Sequence, residues 1–442
     1  MGTGGDTLKP DLVAPGVSIL GAVAPSRNEG REFGFLSGTS ESAPQVSGLA
    51  ALWFGAGVRP RWSPMMIKSA LMTTAADLVD GTGRRATDPF AQGAGRVVPE
   101  RMFAPGLVYP AGQRDWLGYL EGLGMDTGTR TKAIDPSDYN SASIAIGRLV
   151  VKQTVTRRVT AVAAGRYRVS ASVPGVDVDV HPSVLDFSHA GQTRTFRVTF
   201  TPTTASYEKA ATGFLTWKGR RGAVRIPVAV TPRALEVAGT GPSGRVRFHV
   251  TPGATGPFTA VASGLSPASG PTTGSTQTGS LTLNQSFAYR IRPTPGTKAA
   301  RFTVRSSEAK ANLDLYVYQY DANAVARLVG KSTGPSSSES FVVAKPSSSD
   351  STSGSPVPGD YALQVVNAGN APGTTATLFT AQTGLVQATG GVGSFTVTPS
   401  QTEATAGTPI ALTASWSGVQ EEVPYVGWIE YPNGQGTVVT VN

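Results

Sequence analysis

Gly38-Thr39-Ser40-Glu41-Ser42-Ala43-Pro44-Gln45-Val46-Ser47-Gly48 is the stretch around which the N-terminal end of the chain is organised. An apolar, glycine-containing approach, Phe33 to Leu36, runs into it. Beyond it Val46, Leu49, Ala50, Leu52 and Trp53 recur at helical spacing, which predicts a helix over residues 40–57. Its small and apolar residues continue nearly all round, the pattern of a helix buried in a core. Ser40 is thereby placed where a tight turn meets a helix N-terminus. Unpaired backbone N–H groups and the helix dipole favour negative charge there. A serine attacking a carbonyl needs such a field for its oxyanion. The competing reading is an ordinary capped helix, since Ser and Thr are common caps.

Two neighbouring stretches bear on the choice. Lys9-Pro10-Asp11-Leu12-Val13-Ala14-Pro15-Gly16-Val17 precedes the serine, ending on what reads as a short buried strand, Val17 to Leu20. Trp62-Ser63-Pro64 follows it, with Ser63-Pro64 as the start signal for a second helix, Met65 to Leu78. Together the three stretches resemble, in order, the nucleophile region of the subtilisin-like serine peptidases (subtilases). Phe90 to Val97 and Pro105 to Tyr109 resemble the end of the catalytic domain in the cucumisin-like branch. The resemblance implies that Ser40 is the nucleophile and that its own N–H helps hold the oxyanion. It implies a structural role for Asp11. Glu41 and Gln45 depart from the residues usual in the family, which are Met and His. The Gln is expected to be neutral, and the Glu suits the first turn of a helix.

The resemblance also exposes a gap. The family's chain order is Asp, His, Ser. Only 39 residues precede Ser40, and none is His. The chain's three histidines, His181, His189 and His249, lie far downstream in strand-like or turn-like sequence. Asn28, the only Asn before Ser40, is too near to match the family's oxyanion-hole Asn. Asp126-Thr127-Gly128 imitates the catalytic-Asp motif but follows the serine and reads as a turn. The expectation is a C-terminal part of a peptidase domain carrying Ser40 without its Asp and His. The missing N-terminal half would be its first partner and a polypeptide its substrate. Extracellular location follows from the same resemblance. The alternative is a non-catalytic secreted surface protein whose β domains do the binding.

The rest of the chain changes period. After Trp116 to Leu123, a candidate short helix, and a polar linker (residues 116–136 in all), alternation of two begins. Ser143 to Val151, Gln153 to Val162, Arg166 to Val173, Val176 to His181, Thr193 to Thr201 and Ala223 to Val230 predict a β-sandwich over 137–232. Thr154 to Arg157, Pro182 to Phe187 and Gly213 to Trp217 make it similar to the fibronectin-type-III-like domain of cucumisin-like subtilases. Residues 233–285 read as a Gly/Ser/Thr-rich connecting region with short strand signals, such as Val246 to Val250 and Phe258 to Val261. Residues 286–382 carry Asn312 to Tyr318 and Gly359 to Val365, which resemble the bacterial pre-peptidase C-terminal domain, a jelly roll. A low-complexity loop spans Pro335 to Ser355, and residues 391–442 read as a further β segment with Asn433-Gly434 as a turn. The fold class is therefore multidomain: the C-terminal part of an α/β subtilisin-like domain, then all-β sandwiches.

Composition bounds the partners. Gly 53 and Pro 32 in 442 residues suit turn-rich β domains. The absence of cysteine excludes a disulfide framework and any thiolate metal site. No cofactor and no metal is expected; Asp314 and Asp321 fall short of the six or more oxygens calcium takes, and Gly93 and Gly95 lack the context of a phosphate loop. No apolar run of about 18 residues exists to span a membrane. The net charge is +9, and Arg233, Arg245, Arg247, Arg290, Arg292 and Lys298 contribute to it against Glu236 alone between 233 and 300. These bases are not interleaved with aromatics, which argues against nucleic acid. Attraction to an anionic cell-wall or surface polymer is compatible with them, as is a plain solvated face.

Overall fold

The computed structural model describes residues 6–55, 62–220, 222–252, 255–268, 274–321, 323–346, 358–405 and 408–442. The expected end of the serine helix at 57, the start of the turn at Arg59 and the low-complexity stretch beyond 346 lie outside them. The chain forms two compact units, residues 1–232 and 233–442.

In the first unit a hairpin of Ile19–Ala22 and Phe33–Leu36 leads into helix α1, Thr39–Gly55. Helix α2, Pro64–Thr73, starts as its sequence demands: Ser63 Oγ accepts from the Met66 N–H at 3.3 Å, and Pro64 occupies a position whose N–H would be unpaired anyway. It stops five residues short of the expected Leu78. The chain turns at Thr74, and Ala76 pairs with Arg96 instead. Trp53 of α1 stacks on Trp62 at 4.6 Å and joins Ile67, Ala70 and Leu71 of α2 in a small core, with Val46, Leu49 and Ala50 against it.

Two expectations about this segment are corrected. Trp53 is the only buried residue of α1, and Leu52 and Phe54 are 54% and 62% exposed. The strand expected as buried is displaced to Ile19–Ala22, with Val17 79% and Leu20 60% exposed. Helical or strand patterning makes an element amphipathic or apolar, but only a covering layer buries it. Among the described residues the hairpin is a two-stranded sheet and nothing completes it.

The β-sandwich that follows has two sheets. One joins Ile144–Leu149, Gly222–Pro232, Ala211–Gly219, Gly165–Ser172 and Val184–Phe187; the other joins Leu107–Val108, Gln153–Ala161, Thr193–Pro202 and Val176–His181. Alternation puts Val155, Val159, Phe196, Val198, Phe200, Leu215 and Trp217 inside. Fully buried Arg157 ties the entry to this domain, donating to the carbonyls of Ser137 and Ser143 at 2.8 and 3.0 Å; burial lowers its pKa to about 10.

The expected divide at residues 116–136 is crossed by packing. Leu107–Val108 is an edge strand of the second sheet, and Met72, Ala94, Leu107 and Tyr109 sit in the sandwich core. Asp77 pairs with Arg225 at 2.5 Å and Asp115 with Arg158 at 2.7 Å. The polar stretch itself folds back on helix Gln113–Gly122. The Ile134 N–H donates to Gly118 O at 3.0 Å, and a Cβ on Gly122 would lie 2.0 Å from Ile134 O. Asp126 turns the chain as expected, accepting from the Gly128 N–H at 2.8 Å.

The second unit is interleaved. Residues 233–285, expected as a connection, carry strands. Leu235–Gly239 and Val261–Pro267 pair with Gly436–Val441 and Tyr425–Glu430, while Gly244–Val250 pairs with Ile410–Ser417, itself beside Ser394–Thr398. These sheets enclose one core that includes Phe248, Leu265, Leu412, Trp416, Ile429 and Val439. A second sandwich is inserted between its halves. Its sheets are 274–282, 376–386, 299–305 and 338–344 on one side, and 286–291, 361–369, 312–320 and 326–332 on the other. The sandwich expected from residue 286 therefore begins earlier, at residue 274. Asp321 accepts from Arg327 Nε at 2.7 Å and from two backbone N–H groups, so its oxygens are occupied.

Candidate active site

Ser40 is the second residue of α1 and is exposed. Among the described residues nothing engages its hydroxyl or its backbone N–H. The next two amides, of Glu41 and Ser42, both point back to Gly38 O at 3.3 Å. Pro44 lies in the second turn rather than the first, and having no N–H it leaves the Ser40 carbonyl without its helical donor. The turn thus presents Ser40 with its amide and hydroxyl both open.

What fixes the turn is the preceding segment, Ala14 to Gly16. The Gly38 N–H donates to Gly16 O at 2.8 Å, Ser42 Oγ to Ala14 O at 2.8 Å, and Gln45 Nε2 to Pro15 O at 2.7 Å. The carbonyls of three consecutive residues, 14–16, are thus held by Ser42, Gln45 and Gly38 of the serine turn and its helix. The approach is so close that a Cβ on Gly16 would fall 2.6 Å from Gly38 O. Gln45 is therefore not neutral, as expected from its volume; it is one of the three clamps. Glu41 folds its carboxylate towards Gly38, where a Cβ would lie 2.8 Å from Oε2. That is the end of the helix at which the dipole favours an anion.

Asp11 takes the structural role expected of it. Lys9 and Lys68 donate to its two oxygens at 2.6 and 2.9 Å. Burial alone would raise its pKa, but Lys68 and Lys9 outweigh that and hold the carboxyl below its ordinary value. Its carbonyl accepts from the Ala94 N–H at 3.0 Å. Gly93 and Gly95 serve this packing: both have positive φ, and Cβ atoms there would lie 2.4 Å from Pro10 O and 2.2 Å from Ala76 O.

No histidine joins Ser40 in the first unit. His181 is exposed on strand Val176–His181, and His189 Nδ1 contacts Ala190 O at 2.9 Å. His249 is exposed on strand Gly244–Val250 of the second unit. The sequence reading singled out Ser40 and missed Ala14, Pro15, Gly16, Ser42 and Gln45 as a clamp. The signal was present as two separate stretches, Lys9 to Val17 and Gly38 to Gly48, without the geometry that joins them.

Residues 2–95 match the subtilase family, and residues 138–230 match the fibronectin type-III domain. The resemblance drawn from residues 38–48 and from the strands after 137 is thus borne out. Among curated relatives, the Arabidopsis thaliana subtilisin-like protease SBT2.5 is 38% identical over 258 residues, covering 50% of this chain and 31% of the relative. Subtilisin-like protease SBT1.7 of the same plant is 39% identical over 257 residues, covering 51% and 34%. The chain thus spans about a third of the length of these relatives.

Proposed function

We propose that this chain carries the nucleophile portion of a secreted serine endopeptidase and takes polypeptide substrates. Ser40 Oγ attacks the scissile carbonyl, the carbonyl oxygen becomes an oxyanion, and the open Ser40 N–H donates to it. Collapse of the oxyanion breaks the C–N bond, the amine leaves with the proton the base took from Ser40, and water then hydrolyses the acyl-enzyme to free the carboxylate and the serine. The observation that carries this reading is the exposed Ser40 with its unengaged hydroxyl and amide, on a turn clamped at three points to residues 14–16. An ordinary capping serine would spend its hydroxyl on an N–H of the first turn.

The serine needs a base to take its proton. None of the residues before Ser40 is His, so the proposal assigns the Asp and His to a complementary peptidase segment. That segment would cover Leu20, Phe33, Phe35, Leu52 and Phe54, all more than half exposed. Secretion is part of the proposal; among the described residues no helix is long and apolar enough to cross a membrane.

The test is hydrolysis of casein and of chromogenic peptides by the purified chain. The expected outcome is no turnover above background, and the same for Ser40→Ala. Robust turnover abolished by Ser40→Ala would show a complete site and overturn the missing-base reading. Robust turnover unaffected by Ser40→Ala would remove Ser40 from the chemistry altogether.

A further inference from the structure

The second unit has a face that the serine chemistry leaves unused. It is the outer side of the sheet Gly244–Val250, Ile410–Ser417 and Ser394–Thr398. Alternation sends Phe248, Val250, Leu412, Ala414, Trp416 and Val397 inward to the core. It sends Arg245, Arg247 and His249 outward, and all three are exposed. The register aligns them with hydroxyls: Arg245 faces Ser415, which faces Thr396, and Arg247 faces Thr413, which faces Thr398. Each arginine thus heads a row of two hydroxyl side chains, and the rows lie about 7 Å apart along the strands.

None of these strands carries an acidic residue. Among the described residues Arg245, Arg247 and His249 have no ion pair. Arg245 and Arg247 thus set two unpaired positive charges on one face, about 7 Å apart along the strand. The hydroxyl rows beside them are polar but uncharged, so an anion is the complement the face lacks.

We infer that this face binds a linear polyol-phosphate polymer. A guanidinium pairs a phosphate through two parallel N–H···O bonds, and the neighbouring hydroxyls donate to its remaining oxygens or pair with the polyol. Two rows take successive phosphates of one strand. The face carries no Phe, Tyr or Trp ring, only the small imidazole of His249, as a platform for bases, which disfavours single-stranded nucleic acid. It has no large apolar side chain to enter a lipid surface. The chain's net charge of +9 draws any polyanion towards it from a distance.

The experiment measures binding of the full chain to immobilised poly(glycerol phosphate), with single-stranded DNA and phosphatidylglycerol vesicles as competing probes. Arg245→Gln with Arg247→Gln should weaken the polymer at least tenfold and lower the salt slope by about 1–2, one unit or less per phosphate contact. Thr413→Val with Ser415→Ala should weaken it about threefold, by the loss of modest neutral hydrogen bonds. Arg168→Gln with Lys218→Gln, on the first unit, should leave it within about twofold, which separates local recognition from net charge. All of these side chains point outward, so unchanged thermal unfolding verifies the fold. The inference is overturned if the arginine pair leaves binding unchanged, if the first-unit pair weakens it equally, if DNA or vesicles bind as tightly, or if the polymer does not bind.

Discussion

Helix α1 reads in the sequence as apolar nearly all round and strand Gly222–Pro232 as alternating, yet it is the strand that ends in a core. The strand buries eight of its eleven residues, from Val224 through the run Ile226 to Pro232 apart from the half-buried Arg225. The helix buries one of seventeen. The strand has neighbours on both edges, Ala211–Gly219 and Ile144–Leu149, and a second sheet across the core. Among the described residues the helix has α2, the segment Leu12 to Gly16 and the Trp53–Trp62–Phe103 aromatic cluster against it, and no sheet. An apolar pattern states what a segment can bury; the supply of a partner decides what it does bury.

The largest expected effect sets the two regions directly against each other. Trp217 is fully buried and meets Phe196 edge-on at 5.0 Å, and Phe196 meets Tyr109 at 6.4 Å. Trp217→Ala should cost about 3–5 kcal/mol. Because Tyr109 comes from beyond the expected domain divide, the loss should loosen residues 64–110 together with the sandwich. Phe54→Ser on α1 should change stability by less than about 0.5 kcal/mol and reduce binding of a hydrophobic dye. Chemical denaturation of both variants checks the pair. A Phe54→Ser cost comparable to that of Trp217→Ala would show that α1 is covered after all.

A smaller effect tests whether the serine turn is held from outside. Gly16→Ala puts a methyl 2.6 Å from Gly38 O, a backbone atom that cannot swing away. Overpacking of this kind costs about 1–3 kcal/mol. Faster amide exchange should be confined to residues 14–18 and 38–45, with the sandwich unmoved. Normal protection at the Gly38 amide in Gly16→Ala would remove the clamp from the account of Ser40.

Much of the local structure was legible from residues close in sequence. The Ser63-Pro64 cap, the Asp126-Thr127-Gly128 turn and the alternating strands of the first sandwich depend on neighbours within a few positions. The interleaving of the second unit was not legible, because Leu235–Gly239 finds its partner at residues 437–441. Nothing in either five-residue stretch names the other, and the composition between them reads as a connection. The site divides in the same way. Ser40 announces itself through the turn and the helix that follows. The bond from Gln45 to Pro15 O joins two stretches 30 residues apart. It was hidden because Gln45 was weighed by its volume, not by its amide. Arg245, Arg247 and His249 looked scattered until their period of two was combined with the register of Ile410–Ser417.

The smallest expected effect concerns Asp11, which holds the segment before the clamp. Lys9 and Lys68 depress its folded pKa below the unfolded carboxylate value of 3.8. A depressed acid contributes stability that is fully present above the unfolded value and is lost as the pH falls through the folded one. The exposed ends of both lysines limit the contribution to about 1 kcal/mol or less. Between pH 6 and 5 the amides of Val13 and Ala94, which bond to Gly95 O and Asp11 O at 3.0 Å, should keep their protection. From about pH 4 downwards they should lose it ahead of the first sandwich. Asp11→Asn cannot titrate and forms no ion pair, so its protection should be lower at pH 6 and follow a flatter course on acidification. Native-state hydrogen exchange, corrected for intrinsic rates, reads both variants residue by residue. If wild type and Asp11→Asn lose protection along the same curve, the lysine pair does not hold this segment. The serine turn would then owe its geometry to Ala14, Pro15 and Gly16 alone.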